Sequence, residues 1–282
     1  MKYFIVSDIE GVCGVLDAPE WIYENSKYKE NANRLSTNEL NAVISGIFAA
    51  EKANGNGEAK TEVVVCDGHG CGAIDPELLD ERALYLNMRG LEYPFGLDSS
   101  FDAVMWVGQH AKSGTKFAHL AHTGSFSTLY TSVNGTETSE YIDVAYCAHE
   151  LGVPVIFAGG DKAFAKEATE LVPECVAVYT KWGLRKDDGK YLDAKAYETF
   201  NTPAIHLHPK KACALLKEGA YEAVDKLYKK GKAYFTMPSF PKPPYVWNYR
   251  ERGSSESDIY EKRSEDSIIS LFNSQMKKTS HP

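Results

Sequence analysis

Apolar residues in this chain come in short unbroken runs, each followed by a polar or glycine-rich break and then by a helix-period stripe. The first run, Tyr3 to Val6, passes through Ser7 into Asp8-Ile9-Glu10-Gly11. Next, Leu40, Val43, Ile44, Ile47 and Phe48 fall on the one-sided spacing of an amphipathic helix. Ser36 and Glu39 read as a capping box at its start, and Asn54-Gly55-Asn56-Gly57 as its stop. TEVVVCDGHG, FDAVMWVGQHA and GVPVIFAGGDKAFAKEATELVP repeat the plan, ending at Asp67 and His69, at Gly108 and His110, and at Asp161, which is placed to cap the following helix. Continuous apolar runs between helical stripes predict an α/β fold of three layers: a mostly parallel sheet, buried on both faces, with flanking helices.

After about residue 200 the texture changes. HPKKACALLKEGAYEAVDKLYKKGK predicts a helix opened by Pro209, with Ala212, Leu215, Leu216, Ala220, Val224 and Leu227 as its apolar stripe. A proline-rich stretch and a short amphipathic segment, SIISLFNSQMKKTSHP, follow. The expected organisation is a larger α/β domain over residues 1–200 and a smaller C-terminal α+β subdomain or arm over 201–282. No internal repeat is visible.

Composition narrows the classes. A formal net charge of −8 leaves no basic face to displace the counterions of a nucleic acid, so no nucleic-acid partner is expected. Asp8 and Glu10 interrupt the opening apolar run too early for a secretory h-region, and no apolar stretch is long enough for a membrane span. The expectation is a cytoplasmic protein without a membrane partner. The 6 cysteines show no C-x-x-C spacing and read as reduced thiols. Cys66 and Cys71 suit small buried positions better than a thiolate metal site.

In parallel sheets ligands bind beyond the carboxyl ends of the strands. Asp8, Glu10, His69 and His110 all fall there. A carboxylate at the end of a buried strand is costly unless something pairs with it. Farther along, AHLAHTGS carries His119 and His122, and VNGTETSE reads as a turn at Asn134-Gly135 leading into a helix with Glu140 in its first turns. Singly, each has an ordinary reading: strand-end acids in solvent, loop histidines on backbone partners, a surface acid on a helix. His149, His206 and His208 read as structural, Asp67 as a turn former or a ligand-orienting group, and the KDDGK segment as a polar turn. Together on one sheet edge, imidazole and carboxylate without thiolate suit an exchangeable catalytic zinc, or manganese or cobalt.

The motifs Ser7-Asp8-Ile9-Glu10-Gly11-Val12 with Gly14, Asp67-Gly68-His69, Gly108-Gln109-His110-Ala111, Ala121-His122-Thr123, and Asn134-Gly135 with Glu140 occur in this order. In that order and spacing the chain resembles the bacterial zinc-dependent D-aminopeptidases, the dipeptide-transport aminopeptidase A family, over roughly residues 1–230. The resemblance implies a site for two Zn2+ per subunit. Asp8 would bridge both ions, Glu10 and His69 would complete one site, His110 and Glu140 the other, and His122 would be the catalytic histidine. It further implies hydrolysis of the N-terminal bond of short peptides with D-configured N-termini by a metal-bridging hydroxide. A ring-shaped homo-oligomer, a decamer in family members, goes with it.

Two other classes stay open on the residues alone. FIVSDIEG also resembles the D-x-D-G opening of haloacid-dehalogenase-like phosphatases, with Asp8 as nucleophile beside magnesium. In that reading Glu10 replaces the second Asp and the histidines are idle. The third class is a non-catalytic metal-binding protein, against which stand the full ligand set and His122.

Overall fold

The computed structural model describes residues 1–280. The first half of the chain runs β1 (Lys2–Ser7), α1 (Ala18–Trp21), α2 (Lys29–Ala53), β2 (Glu62–Asp67), β3 (Ala83–Asn87), β4 (Ala103–Gln109), β5 (Thr128–Val133), β6 (Thr136–Thr138) and α3 (Glu140–Glu150). The second runs β7 (Val155–Asp161), α4 (Lys162–Leu171), β8 (Val176–Gly183), α5 (Ala194–Phe200), β9 (Ala204–His206), α6 (Pro209–Lys230), β10 (Tyr245–Glu251), β11 (Asp258–Ser264), α7 (Ile268–Asn273) and β12 (Lys277–Ser280).

The larger sheet has seven strands in the order β3-β2-β1-β4-β7-β8-β9, all parallel except the β8–β9 pair at one edge. Its central strands are the apolar runs read from the sequence: all of β4 and β7 is buried. Helices cover both faces. Gly159 on β7 lies against Leu216 of α6, while Gly160, one residue on and so on the other face, lies against Phe164 of α4. Backbone approach at Gly46 lets α2 pack directly on α6, where an added Cβ would fall 2.3 Å from the Lys217 carbonyl oxygen. The three-layer α/β expectation therefore describes this part of the molecule.

A smaller antiparallel sheet, order β12-β11-β10-β5-β6, forms a second unit. It draws on both parts of the chain: β5 and β6 come from residues 128–138, the rest from residues 245–280. The helix α6, by contrast, packs on the large sheet.

Two local readings need correction. Ser36 and Glu39 do not open a helix, because α2 already begins at Lys29; both are buried in its middle. Glu39 instead accepts the Cys13 N–H at 2.9 Å, so its carboxylate serves a loop of another element. Asn134-Gly135 does not lead straight into a helix either. Both residues have positive φ, +50° and +82°, and they form the two-residue turn of the β5–β6 hairpin. The helix α3 starts only at Glu140, capped by the Ser139 hydroxyl, which accepts from Ile142 N–H. The expected cap at Asp161 is present: its carboxylate accepts the Phe164 N–H at 2.7 Å.

Candidate metal centre

The order of strands positions the site. Chain connection reverses direction at β1: β2 lies on one side of it and β4 on the other, which makes the gap between β1 and β4 a topological switch point. The residues just beyond these three strands are Asp8 to Glu10, His69, and His110. Two glycines allow the loops to come this close. Gly108 has φ +75°, and a Cβ there would lie 2.3 Å from the Asp8 carbonyl oxygen. A Cβ on Gly11 would lie 2.0 Å from the Gln109 oxygen, and its N–H donates to Gly108 O at 2.7 Å.

Asp8, Glu10 and His110 offer one set of donor atoms within 4.8 Å of each other, and His110, His122 and Glu140 a second set that shares His110. His110 Nε2 lies 3.2 Å from Asp8 Oδ2 and 3.7 Å from Glu140 Oε2. His122 Nε2 lies 3.8 Å from Glu10 Oε1 and 3.9 Å from Glu140 Oε1. His69 Nε2 lies 3.4 Å from Glu10 Oε1. Asp8, Glu10, His69, His122 and Glu140 thus line one cavity, and His110 stands against Asp8 and Glu140. His119 faces away: its Nε2 pairs with Leu16 O at 3.0 Å and its backbone N–H donates to Asp161. His206 accepts the Gly14 N–H, His208 caps α6, and His149 packs on Phe240.

The imidazoles are fixed from behind. His110 Nδ1 donates to Ala111 O and His122 Nδ1 to Leu120 O, both at 2.9 Å. That tautomer aims the Nε2 lone pair at the carboxylates, a repulsive arrangement unless a cation or a proton lies between. The rings of His110 and His122 stack at 3.9 Å, and Phe126 closes on the other face of His122 at 4.3 Å. Asp8 is held by Ile9 N–H on Oδ1 and by the Gln109 amide on Oδ2, at 2.9 and 3.0 Å. Asp67 accepts Ala73 N–H and the Tyr85 hydroxyl, closing the loop that carries His69.

Electrostatics describes acids crowded without enough positive charge. Burial, then Glu10, pushes Asp8 up to about 7. Burial also disfavours the charged forms of Glu10 and Glu140, yet the histidines outweigh it: Glu10 lies well below the usual carboxylate range and Glu140 near about 2. His69 resists burial through Glu10 and rises to about 9, and His110 rises through Glu140 and Asp8. His122 is lowered, by burial and by its His110 neighbour. Glu10 Oε2 and His110 Nε2 are buried with no hydrogen-bond partner among the described residues.

Orphaned donors of nitrogen and oxygen type, two overlapping sets sharing one residue, and no cysteine in either set fit a pair of zinc ions. Over the site lies a cavity of about 650 Å³. Sequence reasoning missed several of its contributors. Gln109 was inside a quoted motif but carried no signal of its own, Phe126 looked like an ordinary loop aromatic, and Tyr93 and Phe95 enter from a loop after β3 that has no motif.

An α/β fold with a buried carboxylate–imidazole cluster at its switch point defines a metallohydrolase class. The D-aminopeptidase family of M55 peptidases matches residues 1–248, and the chain belongs to that family. A D-aminopeptidase of Bacillus subtilis strain 168 is 29% identical over 202 residues, 70% of this chain and 69% of that one. Among solved structures, the fold matches the Zn-dependent D-aminopeptidase DppA from Bacillus subtilis, described as a self-compartmentalizing protease. The TM-score is 0.77 at 21% identity, covering 97% of this chain and 94% of the other. Family membership sets aside the phosphatase reading.

Proposed function

We propose that this chain is a dinuclear zinc aminopeptidase that releases the N-terminal residue, of D configuration, from short peptides. The observation that carries it is the convergence of three Nε2 atoms on Asp8, Glu10 and Glu140 at the mouth of one cavity. In this reading Asp8, Glu10, His69, His110 and Glu140 would hold the two zinc ions, and His122 would be the catalytic histidine. Manganese and cobalt suit the same donors.

When bound, such a pair lowers the pKa of water from 15.7 to about 7 and polarises the scissile carbonyl. The chain's own residues do the rest. His122, clamped between His110 and Phe126 with Nδ1 on a carbonyl, presents Nε2 in one orientation toward the reacting atoms. Burial and His110 favour its neutral form, so it can take a proton and return it to the leaving amine. Gln109 holds the Asp8 carboxylate in plane, and the Gly124 N–H does the same for Glu140.

The test is metal analysis together with product analysis. Purified protein loaded with zinc should retain close to two ions per chain and release the free D-amino acid from D-alanyl peptides, and a chelator should stop it. Phosphate release from a generic ester without peptide cleavage would overturn the reading, and so would tight zinc binding with no hydrolysis.

Assembly is part of the same reading. The relative of known structure is described as self-compartmentalizing, and this chain exposes large apolar side chains such as Tyr191, Leu84 and Leu184. We infer a cytoplasmic homo-oligomer, built as a ring and in the decameric form, that encloses its active sites. Among the described residues no helix is long and apolar enough to cross a membrane. A monomeric mass in light scattering at micromolar concentration would exclude the ring.

A further inference from the structure

The lining of the cavity over the metal centre is chemically mixed. One group of lining residues is apolar: Val6, Met88, Tyr93, Phe95, Trp106 and Val144. Val6 and Trp106 are register partners on β1 and β4, so they project on the same sheet face, where Trp106 meets Tyr141 of α3 edge-on at 4.8 Å. Tyr93 and Phe95 face each other at 4.5 Å on the loop after β3. Another group is polar: the Tyr23 hydroxyl donates to Glu198, and Lys195, three residues before Glu198, is exposed.

The apolar wall is held in a costly shape. Phe95 has φ +58°, a conformation bulky residues adopt only where the surroundings impose it, and such strain gathers at ligand clamps. The loop that carries it is fastened at Tyr93 by the C-terminal helix α7. Asn273 accepts the Tyr93 N–H and donates to the Tyr93 carbonyl, each at 2.9 Å, and Phe272 stacks on the Tyr93 ring at 5.1 Å. Both residues lie beyond residue 248, where the family match ends. A segment outside the matched region therefore shapes the pocket.

We propose, resting on the aminopeptidase reading, that this wall receives the side chain of the substrate's first residue and selects a bulky apolar or aromatic one, with Phe272 and Asn273 as positioning residues. The first residue of a peptide ends inside the cavity while the rest leaves toward solvent. The apolar residues thus suit the first side chain, and the exposed Lys195 suits the outgoing carboxyl end. A methyl group leaves most of this wall uncovered, whereas a benzyl or isobutyl group fills it. Each methylene-sized group in an apolar pocket is worth roughly 10-fold or more in kcat/KM.

The experiment compares D-Ala-Gly-Gly, D-Leu-Gly-Gly and D-Phe-Gly-Gly on the zinc-loaded enzyme. The expected result is a kcat/KM for D-Phe and D-Leu at least about 10-fold above D-Ala. Phe95→Ala should lower the D-Phe to D-Ala ratio by about 10-fold, and Met88→Trp, which fills the wall from a loop, should lower it in the same sense. Asn273→Ala should lower the ratio through KM for D-Phe, at an unchanged zinc content. Cleavage of D-Ala-Gly-Gly with no preference for the bulkier residues, or a ratio indifferent to Phe95→Ala and Met88→Trp, overturns the pocket assignment alone. No cleavage of any peptide by zinc-loaded enzyme overturns the aminopeptidase reading with it.

Discussion

At the scale of single residues, the proposed function separates groups that would hold metal from the one that would move protons. Replacing His122 by Ala should lower kcat by about 10²–10⁴-fold with zinc content nearly intact, as read by steady-state kinetics and elemental analysis of the same sample. His110→Ala should instead lose zinc, because in the proposed site His110 is a ligand whose Nε2 meets Asp8 and Glu140. If His119→Ala reproduces the His122→Ala profile, the catalytic assignment is wrong; His119 pairs with Leu16 O and has no route to the acids. A second residue-scale prediction concerns pH. Burial raises Glu39 to about 7, above its ordinary 4.5, so the folded state favours the protonated acid. Its contribution to stability is complete below pH 4.5 and is lost as pH rises through about 7. Glu39→Gln, which keeps the acceptor for Cys13 N–H, should therefore gain up to about 3 kcal/mol over the parent at pH 8. Urea melts should show that gap closing toward pH 4.5.

At the scale of elements, the turn between β5 and β6 ties together the two chain segments that build the smaller sheet. Asn134 sits at φ +50°, its amide donates to Lys242 O and Pro244 O, and its oxygen accepts Val246 N–H. Asn134→Ala loses three hydrogen bonds and a tolerated left-handed conformation, an expected cost of about 2–3 kcal/mol in chemical denaturation. Asn134→Gly should recover only the conformational part. Legibility differed among elements for related reasons. The runs at Tyr3–Val6 and Ala103–Val107 were readable because both sheet faces are buried. The start of α2 was not, because Lys29 to Leu35 lack the apolar stripe and the helix is held there by α1 and the loops. Ser36 looked like a cap because a hydroxyl three residues before a carboxylate has the same spelling in a buried helix interior.

At the scale of the whole molecule, the buried acids make the apo protein the less stable form. A cation pair that binds only the folded chain adds about 4 kcal/mol when free metal is a thousandfold above Kd. Removing zinc with a chelator should therefore lower Tm by several degrees, with re-addition restoring it; an unchanged Tm in calorimetry would show that the acids are neutralised by protons alone. The two-sheet arrangement brings residues from distant segments, Tyr93 and Phe272 among them, to one cavity.

Taken by itself, the order of residues picked out side chains of metal-ligand type and the strand ends beyond which Asp8, Glu10, His69 and His110 stand. Apolar periodicity and short local motifs are properties of neighbours in the chain, and Asp8, Glu10, His69, His110, His122 and Glu140 all stood within such motifs. Only the tertiary structure decided how those side chains face one another, that Gln109 and Phe126 brace them, and that α7 holds Tyr93 at the cavity. Those contacts join positions as far apart as Tyr93 and Asn273. Packing, not local propensity, sets them, because each exists only once the sheets and helices have buried the surfaces between.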